Sequence, residues 1–187
     1  MTDFLLPYDN IVIIENCVID RNFGSGILSL SVVLVVRNCT FGPNNTNDGE
    51  PEDVIIRRPP GVPGRFLNCI FTKEIFDSDA DVRFSCIPGT AGEENIDADP
   101  LWVDPENGDY HLRVGSPCID SGTDTGLTVD LDGNPRPVDV IGTGIDGPGA
   151  YDMGAYEFQL SPADLDSNGY VNSRDLILFQ DRWQDSE

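Results

Sequence analysis

The chain has 187 residues, 33 of them acidic and 11 basic, for a formal net charge of −22. That balance excludes a nucleic-acid partner, because phosphate is neutralised by Lys and Arg, and it argues against an anionic membrane surface. It suits an extracellular chain that is calcium-loaded or salt-adapted, with Asp beside Gly, Asn and Pro in turns and ion-binding loops.

No apolar run approaches the ~20 residues of a membrane helix. Residues Met1–Pro7 carry neither a positive n-region nor a cleavage pattern, so they are not a signal peptide. The chain is expected to begin inside a longer protein. A four-residue phrase then recurs: Asn16-Cys17-Val18-Ile19, Asn38-Cys39-Thr40-Phe41 and Asn68-Cys69-Ile70-Phe71. Each follows an apolar or β-branched stretch: Ile11–Ile14, Val32–Val36, and the shorter Phe66-Leu67. From Asn16 to Asn38 is 22 residues and from Asn38 to Asn68 is 30. A period near the first value is one turn of a solenoid. The stretch Arg58–Gly64 reads as an insertion, since its prolines suit neither helix nor central strand. Chance repetition in a β-sandwich is the alternative.

Turn residues at Asn22–Gly26 and Gly42–Asn45 punctuate these strands. By the period of two, Cys17, Cys39 and Cys69 form one inward column and Ile19, Phe41 and Phe71 another. The rise between stacked strands is ~4.8 Å. The Asn side chains are expected to pair their amides from one repeat to the next. Five cysteines leave at least one without a partner in the chain. Stacked thiols filling core space are expected in the column, in preference to disulfides. Over roughly residues 8–85 these phrases resemble the right-handed parallel β-helix repeat of the pectate-lyase-like superfold. The resemblance implies an all-β fold: a right-handed parallel β-helix of few coils over 1–85, with an irregular C-terminal cap.

The middle of the chain carries Glu94–Trp102, Val103–Leu112, Gly115–Gly122, Asp130–Pro137 and Asp152–Phe158, dense in turn residues around short apolar pieces. These ordered phrases resemble the choice-of-anchor module that follows β-helices in secreted bacterial proteins, here over 86–159. The family precedes surface-anchoring elements and implies no catalytic role. Asp120, Asp130 and Asp152 are expected to cap turns. Asp130-Leu131-Asp132-Gly133-Asn134 is short for a second cation site and lacks a distal carboxylate.

Residues 160–187 form a linker and a twelve-residue loop, Asp164–Asp175. Oxygen ligands fall at Asp164, Asp166 and Asn168, followed by Gly169, with a carboxylate at Asp175. Calcium takes six to eight hard oxygens, and this spacing converges them. Tyr170 offers a backbone carbonyl, and Asn172 acts directly or through water. A helix from near Ser173 would set Leu176, Phe179 and Trp183 on one apolar face. The loop is EF-hand-like, and Asp at the last position with Asp175–Phe179 resembles a type I dockerin repeat. That family normally has two repeats, and this sequence has one. The resemblance implies Ca2+ and a cohesin-like or cell-surface anchoring partner.

No recognisable acid–base set appears. The only lysine, Lys73, stands near Glu74 and Asp77; Asp20 and Arg21 read as a solvated turn pair; the only histidine, His111, reads as structural. The catalytic residues are therefore unassigned. The expected function is a calcium-binding, non-catalytic C-terminal segment of a secreted or surface-anchored protein associated with polysaccharides. The alternative is a fragment of a polysaccharide lyase or glycoside hydrolase with its active site on the coils.

Overall fold

The structure is a computed structural model that describes residues 11–23, 26–29, 33–44, 54–56, 64–73, 75–76, 79–90 and 94–184. The chain start, most of the 58–64 insertion, Glu74 and Asp77, and parts of the turns at 22–26 and 42–45 lie outside these residues.

The Asn-Cys phrases organise the first half. Strands β1 (Ile11–Glu15), β4 (Val33–Arg37), β7 (Arg65–Leu67) and β9 (Asp81–Arg83) pair in parallel in that order. Their register runs Ile14↔Val36, Val36↔Phe66 and Phe66↔Val82. Each of the first three strands ends on an Asn in the left-handed region: Asn16 (φ 48°), Asn38 (49°) and Asn68 (52°). Asn tolerates that conformation better than most residues. It turns the chain so that the next residues start a second parallel ladder. There β2 (Val18–Ile19) pairs with β5 (Thr40–Phe41), and the bridges Thr40↔Ile70 and Ile70↔Cys86 extend it. A third parallel sheet joins β3 (Ile27–Ser29), β6 (Val54–Ile56) and β8 (Ile75–Phe76).

Between these sheets sits a core of Leu34, Val36, Cys39, Phe41, Phe66, Cys69 and Phe71. The expected aromatic column exists: the Phe41 and Phe71 rings stack at 4.7 Å and 13°. Such a pair contributes about 0.5–1.5 kcal/mol beyond its buried area. The asparagine column behaves differently from expectation. Its amides do not pair with one another but reach across to one later segment. Asn68 Nδ2 donates to Thr123 O (2.6 Å), Thr125 Oγ1 donates to Asn38 Oδ1 (2.7 Å), and Asn16 Nδ2 donates to Val129 O (2.9 Å).

The expected class is corrected by the second half. Strands β10 (Trp102–Asp104) and β11 (Asp109–Leu112) pair antiparallel around a 3-10 turn at Pro105–Asn107. Residues 113–172 then hold no strand longer than an isolated bridge, and the chain closes on helix α1 (Ser173–Gln184). The described chain is mixed: few short strands in parallel and antiparallel sheets, with one helix. It is not the all-β, right-handed parallel β-helix that the repeats suggested. The physical reason is the density of Gly, Pro and Asp after Asp99, which interrupts any ladder. A second core of Ile70, Cys86, Leu112, Cys118, Ile119, Val140 and Met153 joins the two halves. No helix among the described residues is long and apolar enough to cross a membrane.

Candidate metal centre

The loop of residues 164–175 turns sharply because two residues take positive φ, Ser167 (56°) and Gly169 (85°). A Cβ at Gly169 would meet Val140 Cγ1 at 3.3 Å, so glycine suits the position in space as well as in torsion. The folded loop brings Asp164, Asp166 and Asp175 together: one oxygen from each lies within 4.8 Å of the others. Asp164 and Asp175 are buried, with 7% and 3% of their surface exposed.

Backbone amides hold these carboxylates in place. Asp164 accepts from Gly169 N (2.7 Å) and Asn168 N (3.2 Å). Asp175 Oδ1 accepts from Leu165 N (2.7 Å), and its Oδ2 from Asn172 N (2.8 Å). The Asn172 amide, with those of Leu165 and Asp166, holds the Asp175 carboxyl below the usual carboxylate range. Asp166 Oδ2 pairs with Arg174 Nε at 2.9 Å, while its Oδ1 is buried with no hydrogen-bond partner. An orphaned buried oxygen beside two further carboxylates fits a cation, which would supply the missing partner.

The other three expected ligands are engaged within the loop. Asn168 Oδ1 accepts from Tyr170 N (2.9 Å), Tyr170 O from Asn172 Nδ2 (3.4 Å), and Asn172 Oδ1 from Arg174 N (2.9 Å). Along α1, Leu176, Phe179 and Trp183 are exposed, with Phe179 and Trp183 rings 6.2 Å apart. An apolar hollow of about 490 Å3, lined by Pro162, Leu165, Val171, Leu176 and Phe179, adjoins the loop.

A second concentration of acids was legible only in part. Asp130 caps its own turn, its Oδ1 accepting from Asn134 N (2.8 Å), whereas Asp120 and Asp152 answer distant backbone: Asp120 Oδ2 accepts from Val140 N (2.9 Å) and Asp152 Oδ1 from Asp120 N (2.8 Å). Sequence reading missed Arg136 and Glu157, whose side chains are wholly buried with Nε and Oε2 3.4 Å apart. Their flanks, Pro135 and Pro137, Tyr156 and Phe158, were the available signal. Burial pushes Asp120 up to about 7, and burial opposed by Arg136 leaves Glu157 at about 7. Asp152 is raised by burial and by Glu157.

His111 sits between two carboxylates. Its ring nitrogens lie 2.6 Å from Asp109 Oδ1 and 3.0 Å from Asp132 Oδ2, and the ring stacks on Tyr156. Burial lowers its pKa, but the two carboxylates outweigh that and raise it. The Asp20–Arg21 pair does more than solvate a turn, since Arg21 also donates to Glu106 O (2.9 Å). Lys73 Nζ donates to Asn44 O at 2.7 Å.

Family models, curated proteins and solved structures yield no match to this chain.

Proposed function

We propose that the loop at 164–175 binds one calcium ion and that the chain acts as a calcium-dependent, non-catalytic anchoring segment of a secreted or surface-held protein. The supporting observation is the approach of three carboxylate oxygens, from Asp164, Asp166 and Asp175, to within 4.8 Å of one another. Calcium is favoured over a softer metal because every available donor is oxygen. Asn168, Tyr170 and Asn172 would complete the shell by exchanging their loop hydrogen bonds for the ion. The dockerin and choice-of-anchor resemblances give the reading its anchoring half, with the exposed apolar side of α1 as the surface for a cohesin-like partner.

Within residues 1–187 the loop is a single hand, and binding by one hand alone is expected at the weak extracellular end of the range, ~10⁻⁴–10⁻³ M. Titrating calcium while following Trp183 fluorescence and the backbone amides of 164–184 tests this. The wild-type tail responds at millimolar calcium, and the Asp164→Ala/Asp175→Ala variant does not. An identical response in both, or none in either, makes the loop a surface turn.

A second reading has its own observation. On the exposed face of the β1–β4–β7–β9 sheet, Arg37, Arg65 and Arg83 surround a groove of about 460 Å3. Arg37 pairs with Glu15 and Arg83 with Asp81, while Arg65 has no ion pair among the described residues. A concentration of arginines in a chain of net charge −22 favours an acidic polysaccharide, bound for cleavage or for retention. Retardation of the chain in gels cast with polygalacturonate, relieved by Arg65→Ala, is the expected result. Unsaturated or reducing-end products from the same polymer would decide for a lyase or hydrolase.

A further inference from the structure

The five cysteines divide into two groups by the direction in which they point. In the Asn-Cys phrases each thiol turns back onto the carbonyl two residues earlier: Cys17 Sγ to Glu15 O (3.1 Å), Cys39 to Arg37 O (3.2 Å) and Cys69 to Leu67 O (3.4 Å). The fourth place in that column belongs to Ser85, whose Oγ donates to Arg83 O at 2.8 Å in the same manner. Phe84 takes the positive φ (47°) that Asn holds in the three phrases before it.

Cys86 therefore sits one residue beyond the column position. Its ladder partner is Ile70, not Cys69. One residue along an extended chain reverses the side chain, so Cys86 leaves the first core and enters the second. There its thiol donates to Ala98 O (3.2 Å), and Cys118 is buried in the same core. Both residues are closed to solvent, at 1% and 0% exposure. Both backbones are pinned. Cys86 N donates to Cys69 O (2.8 Å) and Cys86 O accepts from Phe71 N (2.8 Å). Cys118 N donates to Ser116 Oγ (3.1 Å) and Cys118 O accepts from Met153 N (3.0 Å).

We infer that Cys86 and Cys118 are a disulfide-forming pair, oxidised by exchange with a small-molecule disulfide of the glutathione type, and that Cys17, Cys39 and Cys69 stay as thiols. The Cys86 thiolate attacks the small disulfide, forming a mixed disulfide and releasing one small thiolate. The Cys118 thiolate then attacks the Cys86 sulfur and releases the second. Two protein thiols become one disulfide, the small disulfide becomes two thiols, and the two protons from the cysteines end on them. Because both sulfurs are buried in the finished fold, exchange belongs to folding, before the second core closes. The bond would close a loop of about 30 residues and tie the parallel ladder to the irregular half. None of this depends on calcium.

The test is to refold the full chain in a glutathione redox buffer, quench with acid, denature, alkylate and weigh it. Three alkylated thiols of the five are expected, and a mass about 2 Da below that of three alkylations on a fully reduced chain. Tryptic peptides 84–113 and 114–174 should then be linked and should separate on reduction. Cys118→Ser should lose the link without forming another, and Cys39→Ser should keep it. Five alkylated thiols in chain recovered with native circular dichroism, or a link through Cys17, Cys39 or Cys69, overturns the pairing.

Discussion

Two regions of this molecule gather carboxylates, and they answer them in opposite ways. Around Asp120, Asp152 and Glu157 the acids are buried under protein, with Arg136 beside Glu157 and backbone amides on every oxygen of the three but Asp120 Oδ1. Burial keeps those groups protonated to higher pH than usual. In the 164–175 loop three carboxylates converge instead, the one guanidinium that pairs with them is the exposed Arg174, and Asp175 is held ionised. Acid density is therefore a poor guide to a cation site. What separates the regions is whether protons and guanidinium groups have already supplied the positive charge.

The contrast can be broken most directly at Arg136. Arg136→Met leaves Glu157 buried without its cation and should cost about 3–5 kcal/mol in chemical denaturation. Adding Glu157→Gln should recover much of that loss, because the charge that needed Arg136 is gone. A single variant with wild-type stability would mean that the acids are satisfied without it.

Titration sharpens the comparison. The raised Asp120 and Glu157 make the folded state hold protons that the unfolded chain has released. Their contribution is fully present below the ordinary carboxylate range and is lost as pH rises through about 7. At about 1.4 kcal/mol per pKa unit, the loss is on the order of a few kcal/mol. Global unfolding should therefore be harder at pH 5 than at pH 8. His111, also raised, adds to the same trend. Asp175 runs the other way: its contribution is present above the ordinary carboxylate range and is lost as acid drives pH through its lowered value. Trp183 fluorescence should thus report tail loosening at acid pH, where the middle of the chain is most stable. Parallel pH profiles for tail and core would remove the distinction.

The smallest effect is expected at the surface. Asp132→Asn weakens one of the two carboxylate contacts to His111, and an exposed pair of this kind contributes at most about 1 kcal/mol. A thermal scan that moves by several degrees would place Asp132 with the buried acids instead.

The parallel pairing was legible because a short phrase carried it: an Asn that accepts positive φ, followed by alternating inward residues. The carboxylate cluster that could hold a metal ion was legible for a similar reason, since its oxygens come from twelve consecutive residues. What escaped was set by distant partners. Nothing local to Asn16, Asn38 or Asn68 states that residues 123–129 will answer their amides. Ser85 standing in the cysteine column hides the shift that sends Cys86 to Cys118. Arg136 and Glu157 look like ordinary surface charges until packing encloses them. The class was misjudged because the regular part of the chain was extrapolated into a half whose turns do not repeat.

The strap formed by residues 123–129 also sets an order of events during synthesis. Its hydrogen bonds to the asparagines span 55 residues at Asn68, 87 at Asn38 and 113 at Asn16. While a ribosome is still translating the middle of the message, those side chains have only water to bond. The sheets can begin to pair, but they cannot be sealed along that edge until the later segment has emerged. Contacts of such separation slow folding, and an unsealed sheet invites mispairing with other nascent chains. A truncation after Asp120 should therefore yield a product that aggregates, even though every strand of the parallel sheets is present in it.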